Sequence, residues 1–346
     1  MLNQNRRKFM SQMASATAGA AVLANAAQTE AQETRPAPAR REPIGDPSIP
    51  LEIIFLGTGS PGMVMDERRG GSCEVIMAFG EPLLFDVGHL AVHNLAECGL
   101  HPNDIQYLFF THTYHYDHFS EFGSFVQIRA LRREPPIRQG GAQGQGRPAE
   151  PGQRPARPPQ RNRGGGAGPL YVYGPGDTQD RIDLILHQVY AEDIRAQNLV
   201  RRDAVKVHLA DEGVACQTEK WTVTSTHVAH GPNALGFRID AGDKSMAISG
   251  DVAEPSKDPN ARPRIVGFPC ESIEQLAEGV DLFIIDTCGK HSSPKELAAA
   301  VARVNPGRVL LTHVINTRSG NTYRDEVMKV YKGEVTIAEN QMRIRV

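Results

Sequence analysis

Between Thr111 and His118 the chain reads Thr-His-Thr-Tyr-His-Tyr-Asp-His, directly after the apolar run Ile105–Phe110. Three imidazoles and a carboxylate fall within residues 112–118. Ordinary core packing has no use for such a cluster, because buried ionisable groups must be paired or must bind a cation. A buried strand that runs into a loop of nitrogen and oxygen donors is a place to hold zinc or a similar divalent ion. Asp117 and His118 are adjacent and can turn toward a different ion from His115, so the spacing predicts two ions.

The chain has 346 residues, 40% apolar and 23% charged, enough for a substantial core. A net charge of -2 gives no general attraction to nucleic acid or anionic membrane. The five cysteines are scattered, odd in number and free of any Cys-x-x-Cys pair, which argues against a disulfide framework or a thiolate zinc site. At the N-terminus, Arg6-Arg7-Lys8-Phe9 precedes an alanine-rich, weakly apolar stretch to Ala24, and Ala24-Asn25-Ala26 offers a small-residue cleavage site. Residues 1–26 thus resemble a twin-arginine export signal, with the twin-arginine translocation machinery as partner and a periplasmic or otherwise exported location. The apolar stretch is too short to span a membrane.

Residues 27–49, rich in Ala, Pro, Glu and Arg, read as a tether, and the globular part spans 50–346. Apolar strand patterns recur at 51–56, 74–79, 82–85, 106–110, 170–173, 222–228, 235–239, 244–248, 281–285 and 308–311. Helical patterns cover 177–197 and 294–304. Early hairpins followed by strand–helix alternation predict a layered α/β protein. Residues 134–168 break the pattern: six arginines stand among Gly, Pro, Gln and Ala against Glu134 and Glu150. Such a segment cannot bury enough apolar surface to fold alone and reads as a disordered insertion.

Other strand ends carry candidate donors. Asp86, in Leu84-Phe85-Asp86-Val87-Gly88, is placed to orient a metal-bound histidine or the donor loop, or else to serve as a turn carboxylate. His227 and His230 follow one strand, Asp251 follows Met246-Ala247-Ile248, and His313 follows Leu310-Leu311-Thr312. Asp286 ends a strand ahead of His291-Ser292-Ser293. Ser292 or Ser293 could also cap a helix starting at Pro294.

In order and type these residues resemble the metallo-β-lactamase superfamily, whose signature is His-x-His-x-Asp-His after a strand. His115, Asp117 and His118 fit that signature. The position two before His115 is Thr113, and His112 comes one residue early, as after a one-residue insertion. Leu56-Gly57-Thr58-Gly59-Ser60-Pro61 looks like the opening of ribonuclease Z and arylsulfatase-type members. The resemblance implies a four-layer αββα sandwich and two divalent metal ions, zinc by expectation. His112, His115 and His230 would form one site, Asp117, His118 and His313 the other, with Asp251 bridging both. Three arrangements stay open for the first site: a bulged loop that keeps His112, substitution by His227, or a mononuclear protein. Asp286 and His291 match the acid–histidine pair that protonates a leaving oxygen, with aspartate where the relatives use glutamate.

The implied function is an exported hydrolase in which a metal-bound hydroxide attacks a small-molecule ester, phosphodiester or aryl sulfate ahead of lactone or β-lactam. Asp117, His291 and Asp286 are its catalytic candidates, and Tyr114 could bind substrate or pack. No specific nucleic-acid partner is expected. The competing readings are a mononuclear iron persulfide dioxygenase and a non-catalytic envelope metal-binding protein.

Overall fold

The computed structural model describes residues 45–60, 69–130, 168–188, 205–231, 233–255, 265–266, 268–288 and 291–346. The expected export signal, most of the tether, and all of the insertion but Gly168 lie outside the described residues. Residues 45–49, read as tether, include a turn (Ile49 N–H to Asp46 C=O, 3.1 Å). Gly45 lies against Gly80 in the first hairpin.

In chain order the first strands are β1 (Leu51–Gly57), β2 (Cys73–Ala78), β3 (Glu81–Phe85), β4 (Tyr107–Phe109), β5 (Leu170–Gly174), β6 (Val205–Leu209), β7 (Gly213–Gln217) and β8 (Trp221–His227). They are followed by β9 (Leu235–Ala241), β10 (Lys244–Ile248), β11 (Glu254–Pro255), β12 (Ile265–Val266), β13 (Leu282–Asp286), β14 (Arg308–Thr312), β15 (Glu334–Ile337) and β16 (Arg343–Arg345). Two seven-stranded mixed sheets result, in the orders β16-β1-β2-β3-β4-β5-β6 and β15-β14-β13-β10-β9-β8-β7, with β11 and β12 paired apart. The helices are α1 (Ala91–Glu97), α2 (Tyr116–Phe119), α3 (Phe122–Ala130), α4 (Thr178–Gln188), α5 (Glu271–Leu276), α6 (Pro294–Val304) and α7 (Thr317–Val330).

Side-chain alternation explains the layering. On β1, Ile53 and Phe55 point between the sheets, while Ile54 and Leu56 pack on the helices outside. A strand covered on both faces needs no polar alternation. The inter-sheet core joins Phe85 and Phe109 to Trp221 and Phe237. Phe85 and Phe109 stack at 4.9 Å, and both meet Phe237 edge-on. Outside the first sheet, Leu84, Leu108 and Phe110 pack with Leu95, Phe122 and Ile182 of α1, α3 and α4. Outside the second, Phe283, Ile285 and Leu311 pack with Ile273, Leu297 and Val327 of α5, α6 and α7. The outcome is the expected four-layer αββα sandwich. Glu52, buried in β1, is held by Arg343 (2.8 Å) and Arg345 (3.1 Å) from β16.

The strand directions decide where chemistry can occur. β3 through β6 run parallel, and so do β10, β13, β14 and β15. Their carboxyl ends therefore open on one side, the usual place for a ligand in sheets of this kind.

Some elements differ from expectation. The helix expected over 177–197 is described as Thr178–Gln188; Asp177 lies in the preceding turn, and residues 189–197 lie outside the described residues. The edge strands β6 and β7 and the helix α7 were not anticipated. Leu209 and Val214 stay exposed on these strands, which are only five residues each and close the two sheets at their edges.

Candidate metal centre

Each donor leaves the carboxyl end of a strand. β4 leads into His112, His115, Asp117 and His118; β8 leads to His230; β10 leads to Asp251; β14 leads to His313. The two glycine-bearing loops 70–71 and 86–88 wrap the donor loop. Val87 N–H donates to His118 C=O (2.8 Å), and Glu121 N–H donates to Val87 C=O (3.0 Å). A Cβ on Gly88 would lie 2.0 Å from the Asp117 carbonyl oxygen, so only glycine allows this approach.

The donors form two clusters. In the first, His112 Nε2 lies 3.2 Å from His115 Nδ1, His230 Nε2 lies 3.4 Å from His115 Nδ1, and His230 Nε2 lies 3.5 Å from Asp251 Oδ2. In the second, Asp117 Oδ2 lies 3.7 Å from His118 Nε2 and 3.6 Å from His313 Nε2. Asp251 Oδ1 lies 3.4 Å from His118 Nε2 and 3.5 Å from His313 Nε2. The two oxygens of Asp251 thus face different clusters.

These separations test whether cations fit. Four ligands around an ion at bond lengths of about 2.0–2.2 Å stand roughly 3.3–3.6 Å from one another. The observed edges match that spacing and are long for hydrogen bonds. Both oxygens of Asp117, Asp251 Oδ2, His118 Nε2 and both His313 nitrogens are buried with no hydrogen-bond partner among the described residues. Buried polar atoms are almost always paired, and a set of orphans aimed at one another is what missing cations leave. Asp86, Asp117, Asp251 and Asp286 are each no more than 2% exposed, a concentration of negative charge that two divalent ions would offset. The residues fit the implied metals.

Neighbouring groups orient the ligands. Asp86 Oδ2 accepts from His118 Nδ1 (2.7 Å) and from the Thr111 hydroxyl (2.7 Å), and Asp86 Oδ1 accepts from Thr111 N–H (2.9 Å). Asp86 thus contacts both His118 and the donor loop, so its carboxylate points His118 Nε2 at the cluster and anchors Thr111. His112 Nδ1 lies 3.2 Å from Thr111 Oγ, leaving Nε2 for a cation. Asp86 and His313 adopt φ of 56° and 57°, left-handed conformations uncommon outside glycine and held here by the surrounding contacts. Gly59, in the turn after β1, pairs with Val314 next to His313.

The electrostatics divide the histidines. Burial, opposed by Asp251, brings His230 down to about 4, and burial also lowers His112 and His115. These shifts keep the three imidazoles neutral at neutral pH, the form that can bind a cation. Burial would lower His118 too, but Asp251, Asp86 and Asp117 overcome it and raise it well above the usual range. Asp251 is held well below the carboxylate range: burial opposes this, and His313 and His118 prevail.

Beside the clusters, His291 Nδ1 lies 2.5 Å from Asp286 Oδ2, so the shorter aspartate reaches its histidine. His291 Nε2 lies 3.8 Å from Asp251 Oδ2. Burial works against the His291 proton, yet Asp286 and Asp251 push it up to about 9. Asp286 is itself fixed by Cys288 N–H (2.7 Å) and by a bond from its own N–H to Ser249 Oγ (3.0 Å). The alternative role for the serines coexists with this pair: Ser293 and Glu296 form a capping box at the start of α6, while His291 is buried.

His227 requires a correction. It is the last residue of β8, exposed at the strand end although it follows the buried residues Trp221, Val223 and Ser225 on the same face, and its Nε2 pairs with Asp211 (2.6 Å). It cannot substitute for His112, which the bulged loop brings into the first cluster. Tyr114 is half-buried, packs against the first-cluster imidazoles and donates to His230 C=O (2.5 Å). Burial raises its phenol, followed by Asp251 and Asp177, so it stays protonated. Thr111 and Ser249 were not singled out from the sequence. Hydroxyls at strand ends are too common to signal a role before their carboxylate partners are located.

Comparison with known proteins agrees with this fold. The family model described as the metallo-β-lactamase superfamily matches residues 69–279, more than half of the chain. Ribonuclease Z of Mycobacterium sp. strain KMS is 25% identical over 289 residues, covering 77% of this chain and 84% of the relative. Among solved structures, the metallo-β-lactamase fold protein YhfI from Bacillus subtilis superposes with TM-score 0.57 at 17% identity, covering 86% of this chain and all of the other (100%). Human tRNase Z, short form, gives TM-score 0.56 at 21% identity, covering 85% and 99% of the two chains.

Proposed function

The chain belongs to the metallo-β-lactamase superfamily and is a metal-dependent hydrolase, and from that premise we propose that it is an exported enzyme with two divalent ions, zinc by preference, that cleaves small phosphodiesters or aryl sulfates. The observation that carries the reading is Asp251, whose two oxygens face two separate donor clusters. Divalent ions held there supply Lewis acidity, activating water and stabilising charge on the attacking and leaving oxygens. The protein's own groups do the rest. Asp251 fixes the spacing between clusters, Asp117 closes the second, and Asp86 holds His118 in the tautomer that leaves Nε2 free. His291, kept protonated by Asp286, presents Nε2 beside Asp251 and can give its proton to a leaving oxygen.

The phosphodiester preference is supported by relatives named as ribonucleases; the aryl sulfate rests on the Leu56–Pro61 turn alone. Export rests on the paired arginines and the Ala24-Asn25-Ala26 site, and processing there would remove Arg6, Arg7 and Lys8. An exported enzyme meets small esters rather than transfer RNA.

The test is hydrolysis of bis(p-nitrophenyl) phosphate and p-nitrophenyl sulfate by zinc-loaded protein, with metal counted per chain. We expect about two ions, with activity abolished in Asp117→Ala and in His313→Ala. Full activity in either variant would sink the dinuclear reading. A single bound iron with oxygen consumption would favour the dioxygenase. N-terminal sequencing of envelope fractions should find a chain beginning after Ala26; an intact Met1 in the cytoplasm would rule out export.

A further inference from the structure

We propose that Tyr114 is a positioning residue: its hydroxyl clamps the His230 loop so that the first donor cluster closes despite the extra residue between His112 and His115. This rests on the reading that the first cluster binds a cation.

Three observations carry it. The first is the bond itself. Tyr114 Oη donates to His230 C=O at 2.5 Å, a link between two loops that each supply first-cluster donors. The loop bearing His230 has its own framework, with Val228 N–H bonded to Ala234 C=O and Leu235 N–H bonded to Thr111 C=O. His230 N–H is held within that framework by Val228 C=O (2.9 Å) and the residue bridges to Ala253, whereas the Tyr114 bond holds the His230 carbonyl from the facing donor loop.

The second is the ring. Its centroid lies 4.6 Å from those of His112 and His115 and 5.8 Å from that of His230, which it stacks at 26°. One phenol therefore touches every imidazole of the first cluster. The second-cluster rings are packed by other histidines, His112 on His118 (4.1 Å) and His291 on His313 (5.5 Å), and His118 is oriented by Asp86.

The third is the fit of the opposing backbone. Gly231 has φ +60°, and a Cβ there would stand 2.4 Å from Tyr114 Oη. The loop turns on a glycine at the point where the hydroxyl arrives. Two residues, Thr113 and Tyr114, occupy the interval between His112 and His115, and Thr113 turns inward and is buried. The longer interval is what lets Tyr114 reach across to the facing loop.

The experiment titrates zinc into metal-free wild type, Tyr114→Phe and Gly231→Ala against a chromophoric chelator, with cobalt(II) spectra to distinguish the sites. His230→Ala defines the signature of first-cluster loss. The phenylalanine keeps the ring and removes only the hydroxyl. We expect Tyr114→Phe to weaken one ion roughly ten- to hundred-fold, as loss of an orienting partner does, with the second ion unchanged and the His230→Ala spectral change reproduced in part. Gly231→Ala should give the same selective loss. Both ions at wild-type affinity in Tyr114→Phe would overturn the inference. So would equal weakening of both ions together with a lower Tm, which would mark a general structural role. Wild type holding one ion only would refute the first-cluster reading itself, and the inference with it.

Discussion

Asp86 decides which nitrogen of His118 is available. Its carboxylate accepts hydrogen bonds from His118 Nδ1–H and from the Thr111 hydroxyl and N–H, so His118 Nε2 faces the second cluster. Asp86→Asn should lower second-cluster metal affinity roughly ten- to hundred-fold, measured by chelator competition; unchanged affinity would mean the ring needs no such partner. His291 makes a different prediction. Its substitution by alanine should slow a substrate with a poor leaving group by about 10²–10⁴-fold and a nitrophenyl ester far less, because only the former needs a proton. Equal losses on both substrates would remove the acid role. The metal-free protein should also show opposing pH limbs. His230 is neutral in the fold down to about 4 against an ordinary 6.5. Its contribution is full above about 6.5 and is lost as pH falls toward 4. His291 keeps its proton up to about 9, so its contribution is full below about 6.5 and is lost as pH rises toward 9. The Tm of chelator-treated protein should therefore peak near the ordinary histidine range, and a Tm that climbs steadily to pH 9 would contradict the assignment.

At the scale of elements, α6 shows how local sequence and site share a segment. Ser293, Pro294 and Glu296 start the helix through a capping box, and the residues just before them deliver His291. Ser293→Ala should cost about 1 kcal/mol in unfolding free energy by loss of the cap, with kcat nearly unchanged, because the Asp286–His291 bond does not pass through the serine. A collapse of kcat would show that the cap positions the histidine. The loop at Gly88 is less forgiving. Alanine there meets the Asp117 carbonyl at 2.0 Å, and overpacking of this kind costs about 1–3 kcal/mol or more. Gly88→Ala should lose the second-cluster ion as well as stability.

Across the molecule, the two sheets act as two jaws. The first supplies Asp86 and the loop from His112 to His118; the second supplies His230, Asp251, Asp286 and His313. Cations held between them would join the sheets as well as serve chemistry, because they would compensate carboxylates buried at the seam. Chelation should lower Tm substantially and zinc should restore it, read by scanning calorimetry; an unchanged Tm would show that the histidines alone neutralise the site.

The sequence by itself determined the donor inventory and the order of the strands that carry it. Strand ends at Phe110, Ile248 and Leu311 are legible because apolar runs of strand length stop at polar donors, and α6 is legible because its cap and its apolar spacing agree. The edge strands and α7 were not, since the strands are short and α7 buries only Gly320, Tyr323 and Val327 in an otherwise polar segment. Which histidine completes the first cluster was decided only in three dimensions. His112 and His227 each lie three residues before a candidate donor, His115 and His230, but His227 sits exposed at the end of β8 against Asp211, while the bulged loop folds His112 inward onto Thr111. Likewise Asp251 reads as a single carboxylate in the chain and becomes a shared one only when the sheets close. Spacing along a strand fixes direction modulo two residues, whereas the distance between donors from different strands is set by packing between the sheets.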